Sequence, residues 1–304
     1  MRIEYPEFGE HRRPSGPRDP GDAWVITDEG TRYWGRYGAA GLLAYDRDRG
    51  VLLQHRVSWS HHGNTWGLPG GARHEGESAC DGALREAQEE AGVPDGSVRA
   101  RLESVLDLDV WTYTTLVGDV VDPFEPVISD PESSALEWVP VDEITDRPLH
   151  PGFADAWPRL RALLPVHPAV VVDAANVIGS VPDGWWRDRA GAAARLAERV
   201  ARLAKRGVDA TALDLAEDTW FPEFSVVVEG QAKAMDAAAD GVRIVRAPAS
   251  GDDAIVDEAR RLVDGGRRVI VVTSDRELVD RSHGVGADTR GTRWLLDLLD
   301  PVAR

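Results

Sequence analysis

Cysteine is all but absent. Cys80 stands alone, so no internal disulfide can form, and the composition fits a reducing, cytoplasmic setting. No apolar run is long enough to span a bilayer, which argues against a membrane partner. The opening stretch MRIEYPEFGEHRRPSGPRDPGD has no apolar core of the kind a secretory signal carries, and residues 1–21 read as a flexible Pro/Gly/Arg-rich arm. Internal repeats are missing, as are low-complexity tracts beyond that arm. Positive charge is scarce: 35 Lys and Arg face 52 Asp and Glu, for a net charge of −17 and a pI near 4.9. Such a surface repels phosphate backbones and argues against indiscriminate duplex DNA binding. Phosphate chemistry on it calls for divalent metals or local basic patches.

What is present is a soluble α/β chain of 304 residues, long enough for two domains. PRLRALLPVHP, residues 158–168, carries three prolines and separates the halves, predicting domains over 22–165 and 168–304. In the first, GAAGLLAYDRDRGVLLQHR reads as a hairpin. Further strands are expected at Val105–Leu108, Trp111–Val117 and Leu136–Val139, and short helices in PVDEITD and FADAWPRLRALL. In the second, apolar runs alternate with helical patterns, which predicts a mainly parallel sheet covered on both faces. Strands are expected in AVVVDAANV, DATALDLA, SVVVEG, VRIVRAP and RVIVVTSD. Helices are expected over Ala190–Lys205, in DDAIVDEARRLVDGG and in TRWLLDLL.

The segment WGLPGGARHEGESACDGALREAQEEAGV, residues 66–93, concentrates five glutamates in a chain already rich in them. Ser78 followed three residues later by Asp81 is a capping pattern, and Gly92 is a natural stop, so a helix spans about Ser78 to Ala91. Ala79, Ala83, Ala87 and Ala91 form a stripe of small residues that can press on a sheet. Glu86, Glu89 and Glu90 crowd one side, where they would raise each other's pKa unless a cation stood among them. Oxygen ligands suit Mg²⁺ or Mn²⁺, which also bind substrate phosphates. A solvated acidic face would carry the same charge.

The spacing is more particular than the charge. Gly71, five residues, Glu77, seven residues, Arg85-Glu86, then Ala87, Gln88, Glu89-Glu90, Ala91, Gly92 and Val93 resembles the Nudix box, G-x5-E-x7-R-E-U-x-E-E-x-G-U. The one departure is small Ala87 where a bulky aliphatic is usual. The resemblance covers about residues 22–165. It implies a Nudix α/β/α sandwich with a mixed sheet and a pyrophosphohydrolase acting on a nucleotide or another nucleoside diphosphate-linked small molecule. Carried onto this chain, Glu86, Glu89 and Glu90 would hold Mg²⁺ or Mn²⁺, with the Gly71 carbonyl as a further ligand. Glu77 and Arg85 would pair to fix loop and helix. The general base stays open between Glu90 and Glu132. Arg56 is a candidate for phosphate; Trp66, Trp111 and Tyr113 could stack on a base, although at least two of them read as core aromatics. His61 and His62 read as solvated loop residues.

In the second half the acids end apolar runs. Asp173 closes VVVD with Asn176 three residues on, Asp252 and Asp253 open a helix, and Asp275 follows VIVVTS. Strand ends of a parallel sheet face one crevice, where converging carboxylates again call for Mg²⁺ or Mn²⁺. Asp173 and Asp275 could equally be helix caps. VVVDAANVIG, SGDDAIVDEA and VVTSDRELVDR resemble the NYN family of PIN-like nucleases, over about residues 168–300. That resemblance implies a Rossmann-like three-layer domain and a metal-dependent ribonuclease with RNA as partner. Its ligands would be Asp173, Asp252 and Asp275, supported by Asn176, with Asp253 competing for the place of Asp252 and Glu229 a fourth candidate. Arg195, Arg199, Arg202 and Arg206 share a helix face that could track a phosphate backbone or simply be solvated. Trp185 and Trp186 could stack bases. The whole reads as a bifunctional hydrolase. Other readings are a nucleotide-sensing first half that controls the nuclease, and a noncatalytic RNA-binding second half.

Overall fold

The computed structural model describes residues 1–6, 19–60, 62–182, 184–236 and 240–300, so His61 and residues 7–18 of the expected arm lie outside the described residues. Two compact units emerge, Met1–Leu164 with Ala216–Asp218, and Pro165–Leu215 with Thr219–Arg304. Among the described residues no helix is long and apolar enough to cross a membrane.

The first unit opens with a small antiparallel sheet of β1 (Arg2–Glu4), β2 (Trp24–Ile26) and β3 (Arg32–Trp34). Residues 2–4 are therefore a paired strand, not part of a flexible arm. Trp24 faces Trp34 across β2 and β3, ring edge to ring face at 5.1 Å. The main sheet follows, with β4 (Ala39–Asp46), β5 (Gly50–Arg56), β6 (Trp66–Gly67), β7 (Gly70–Ala72), β8 (Val98–Asp107), β9 (Thr112–Val120) and β10 (Ser133–Val139). Its strand order is β10-β5-β4-β9-β8, with β6 on β5 and β7 on β4. Only β4 and β9 run parallel, so the sheet is mixed. α1 (Ala79–Ala91) packs on β4, and its Ala83, Ala87 and Ala91 are wholly buried, as the small-residue stripe predicts. α2 (Pro151–Leu163) buries Phe153, Trp157 and Leu160.

The β4–β5 hairpin lies where GAAGLLAYDRDRGVLLQHR places it. Asp46 accepts hydrogen bonds from the backbone N–H groups of Asp48 and Arg49 and from Arg49 Nε, which closes the turn. Gly50 leaves the turn at φ +99°, and a Cβ there would stand 2.0 Å from the Val139 carbonyl oxygen. Gly50→Ala is expected to destabilise the first unit by about 3 kcal/mol or more, from backbone strain plus displacement of β10. A urea unfolding curve unchanged by the substitution would rule this out.

The second unit contains β11 (Pro168–Asp173), α3 (Ala174–Gly179), α4 (Arg189–Arg206), the two-residue strands β12 (Val208–Asp209) and β13 (Thr219–Trp220), β14 (Glu223–Val228), β15 (Val242–Arg246), α5 (Gly251–Asp264), β16 (Arg268–Val272), α6 (Arg276–Gly284), β17 (Asp288–Arg290) and α7 (Thr292–Leu299). Five strands form a wholly parallel sheet in the order β15-β14-β11-β16-β17. Val171, Val227, Val269 and Val271 pack with Ile255, Ala259 and Leu262 of α5. Their neighbours Val170, Val172, Val226 and Val272 are equally buried, so both faces of the sheet are covered.

DATALDLA is not a strand. Asp209 accepts from the Thr211 N–H, a 3-10 turn runs over Ala210–Leu213, and Asp214 ends it in a left-handed conformation at φ 52°. The local side-chain bond wins over the apolar alternation.

Candidate functional site

In the first unit, α1 begins where Ser78 accepts from the Asp81 N–H and ends at Gly92, at φ 63°. Those caps set the phase of the helix and hence which glutamates turn inward. Glu90 is 9% exposed and accepts from the Gly70 N–H at 2.8 Å. Burial pushes its carboxyl up to about 8, with the Glu86 charge adding to the rise. Glu86 lies against β7, where a Cβ on Gly71 would come within 2.5 Å of its carboxylate. Burial raises its carboxyl to about 7, and Arg85 offsets part of that. Glu89, 58% exposed, reaches Arg85 at 3.3 Å.

Arg85 is the hub of this arrangement. Its guanidinium meets Glu77 through Nε at 2.9 Å and Nη2 at 3.1 Å, Glu86 at 2.8 Å, and the Ala72 carbonyl at 2.9 Å. Glu77 also accepts from the His74 N–H, tying the loop before α1 to the helix. Burial alone would raise the Glu77 carboxyl, but Arg85 and the His74 N–H hold it below its usual range. A carboxyl lowered in the folded state contributes stability above its unfolded pKa, near 4.5, and loses that contribution in acid. Glu77→Gln is therefore expected to cost about 2 kcal/mol at pH 7. The gap between variant and wild type should close as pH falls below about 4.5. Thermal melts across pH 3–7 test this, and a gap constant with pH would contradict it.

A cavity of about 970 Å³ opens beside the glutamates, lined among others by Arg56, Gly70, Gly71, Trp111 and Tyr113. Arg56 is buried at the end of β5, with Glu132 at 3.6 Å from its Nη2. The loop bearing Glu132 is tied to the end of α1, Val127 donating to the Ala91 carbonyl and Ser129 to that of Glu90. Of the three aromatic candidates, Trp66 is a core residue, held between the His55 ring at 4.9 Å and the Arg147 guanidinium at 4.8 Å. Asp22 was not foreseen. It lies close enough for its charge to help raise Glu86, but its Pro/Gly-rich surroundings read as arm.

The NUDIX domain model matches residues 35–162. The Mycobacterium tuberculosis protein named "Putative 8-oxo-dGTP diphosphatase 3" is 49% identical over 154 residues, which is 47% of this chain and 70% of that one. The chain belongs to the Nudix family. A Bifidobacterium longum "Nucleoside triphosphate pyrophosphatase/Nudix hydrolase fusion protein" is 40% identical to this Nudix chain over 156 residues, 48% of it and 32% of the relative. The crystal structure of RenU, a Nudix hydrolase from M. smegmatis, is 45% identical, with a TM-score of 0.42, covering 47% of this chain and 94% of that one.

The second unit of this Nudix-family chain has a separate pocket of about 250 Å³, lined by Asp173, Asn176, Glu229, Asp252 and Asp275 with neighbouring small residues. The sheet order explains the convergence. From central β11 the chain runs outward through β14 and β15, then returns to β16 on the other side, so the switch in direction falls between β11 and β16. Asp173 ends the first of these strands and Asp275 follows the second. Both also cap helices, Asp173 accepting from the Asn176 N–H and Asp275 from the Leu278 N–H, each at 3.0 Å. Capping and convergence are thus one geometry.

Thr273, unforeseen although it stands two residues before Asp275, donates to Asp173 at 3.0 Å and accepts from the Asp275 N–H at 3.2 Å. Asn176 accepts from the Ser274 N–H. Glu229 accepts from the Gly251 N–H at the start of α5. Burial raises the carboxyl of Asp173, with the charges of Asp252 and Glu229 adding to it. Asp253 departs from the expected ligand set. It turns from the pocket to Arg281 at 2.5 Å, leaving Asp252 in the place the two competed for. The arginine face of α4 is partly engaged, Arg199 with Asp300 and Arg206 with the Leu298 carbonyl.

All donors in both clusters are oxygen. Among the described residues no three His, Cys, Asp or Glu side chains are gathered tightly enough to hold a metal ion as they stand. The donor chemistry nonetheless fits a divalent cation. Burial disfavours the ionised forms of Glu90 and Glu86, and the Glu86 charge adds to the effect on Glu90; a cation beside them would offset both.

Proposed function

We propose that the first domain hydrolyses nucleoside diphosphate-linked substrates, with an oxidised guanine nucleoside triphosphate the first to examine. The observation that carries this reading is the buried carboxylate of Glu90 with the half-buried one of Glu86, beside a cavity that also presents Arg56. The substrate choice rests on the M. tuberculosis relative. Glu86, Glu89, Glu90 and the Gly71 carbonyl would hold Mg²⁺ or Mn²⁺, which when bound would polarise the pyrophosphate and activate water. Arg56 meets phosphate charge from the cavity wall. Arg85, fixed by Glu77, keeps the helix and its preceding loop in register. Glu132, 3.6 Å from Arg56, or Glu90 would accept the proton.

For the second domain, a PIN-like fold of the NYN type and metal-dependent cleavage of RNA are the reading that four acids in one pocket at a sheet switch point support best. Asp173, Asp252, Asp275 and Glu229 would be the ligands, with Asn176 and Thr273 holding their orientation.

Product analysis over nucleoside triphosphates, oxidised nucleotides, ADP-ribose, dinucleotides and capped or 5′-triphosphate RNAs tests both halves. Wild type is compared with Glu90→Gln and Asp173→Asn in Mg²⁺ or Mn²⁺. Turnover of a nucleotide lost only in Glu90→Gln, and RNA cleavage lost only in Asp173→Asn, are expected. Tight nucleotide binding with no turnover would instead make the first domain a sensor.

A further inference from the structure

The family match begins at residue 35, yet one wall of the cavity is built before it. Trp24, Arg32, Tyr33 and Trp34, from β2 and β3, all line that space. Trp111, in the connection from β8 to β9, is fastened to this wall: its indole Nε1 donates to the carbonyls of Trp34 at 3.0 Å and Gly35 at 3.1 Å. The Tyr33 ring stacks on Trp111, with centroids 4.8 Å apart and planes 17° from parallel. Tyr113 continues the row, 6.1 Å from Trp111. At the far end it adjoins the catalytic helix closely enough that burial and then the Glu90 charge push its phenol up to about 12. A ladder of three rings thus leads from the small N-terminal sheet to the buried glutamates.

Tyr33 and Trp111 are only half-buried, unlike the core tryptophans Trp66 and Trp157. Stacked rings that merely glued two segments together would be expected to close over one another, not to border a cavity. A planar heterocycle stacks on such a surface whatever its hydrogen-bonding edge, since every base has a π-face. The volume, near the top of the usual range for ligand pockets, is large enough for a nucleotide with its base against these rings and its phosphates toward Arg56.

We propose that β2 and β3 form the substrate-selecting wall of this enzyme, with Tyr33 and Trp111 binding the planar base of the nucleotide. This rests on the proposed nucleotide hydrolysis and adds to it the residues that separate base-bearing from base-free pyrophosphates. Tyr33, outside the family segment, then shares with Trp111, inside it, in setting the selectivity.

The test is tryptophan fluorescence in the full-length Glu90→Gln protein, titrated with a purine nucleoside triphosphate or with inorganic tripolyphosphate. It is paired with KM and kcat for the nucleotide in the otherwise wild-type enzyme. Tyr33→Leu, which keeps apolar bulk, is expected to weaken nucleotide binding and raise KM about tenfold or more, with kcat moving far less. Tripolyphosphate affinity should change much less than nucleotide affinity. Tyr33→Phe, which keeps the ring, should restore tight binding, and Trp111→Phe should remove the nucleotide-induced quench. Equal weakening for nucleotide and tripolyphosphate, or Tyr33→Leu binding nucleotide as wild type does, would overturn the proposal. If wild type turns over no nucleotide, the hydrolase reading fails, while the titrations still decide whether the wall binds a base. Should Tyr33→Leu melt early, Trp111→Phe alone decides: a retained quench and unchanged affinity overturn the assignment.

Discussion

Glu90→Gln is expected to lower kcat for nucleotide hydrolysis by about 10³-fold while making the metal-free protein more stable at alkaline pH. The two effects share one cause. Glu90 is buried, meets the Gly70 N–H and lies near the charge of Glu86, so its carboxyl is pushed from 4.5 to about 8. A carboxyl whose folded pKa exceeds its unfolded value holds its proton more tightly in the folded state. Its contribution to stability is fully present below about pH 4.5 and is lost as pH rises through about 8. Metal-free wild type should therefore weaken between pH 5 and 9, by about 3 kcal/mol once the rise is shared with Glu86.

Gln carries no charge and can still accept from Gly70, so the share of that pH dependence owed to Glu90 should vanish in the variant, while the share owed to the burial of Glu86 stays. Mg²⁺ or Mn²⁺ should raise the melting midpoint of wild type at pH 8.5 well above its effect on Glu90→Gln. Thermal melts with chelator and with metal, at pH 5 and 8.5, measure this directly. A wild-type midpoint indifferent to pH with chelator present would mean that Glu90 does not carry a buried charge. An active Glu90→Gln would remove it from the chemistry.

Such a residue could be found in the sequence because its whole setting is local. Gly71, Glu77, Arg85, Glu86, Glu89 and Glu90 lie within one loop and one capped helix, where spacing translates directly into position. The second domain was legible only to the level of strand ends. Asp173 and Asp275 follow from strands that stop, but the choice between Asp252 and Asp253 depends on Arg281, which reaches Asp253 from a different helix. The arginine face of α4 has the right period, yet its partners at Leu298 and Asp300 are about a hundred residues away. Strands β1, β2 and β3 are three residues each, too short to show alternation, and the Pro/Gly-rich stretch between the first two masks their pairing. The aromatic wall was hidden for that reason, although Trp111 and Tyr113, on longer and more regular ground, were already candidates. Trp66 could not be sorted from the sequence: a tryptophan beside the Nudix box can stack on a base or fill the core, and only its burial separates the two.

Asp173→Asn and Asp173→Ala should separate what that residue does for the fold from what it does for chemistry. If the second domain cleaves RNA as proposed, both are expected to lower that cleavage about 100-fold or more, because each removes a carboxylate from a pocket whose other acids are left in place. Their stabilities should diverge. Asn caps helices about as well as Asp, so its side-chain oxygen can still accept from the Asn176 N–H, and its amide can meet the Thr273 hydroxyl. Ala forfeits the cap and leaves the buried Thr273 hydroxyl without this partner, at a cost of about 2 kcal/mol. Nucleotide hydrolysis by the first domain should survive in both. RNA cleavage retained in Asp173→Asn would make this pocket a structural feature of the sheet. Cleavage lost in Ala but not in Asn would reduce Asp173 to its cap.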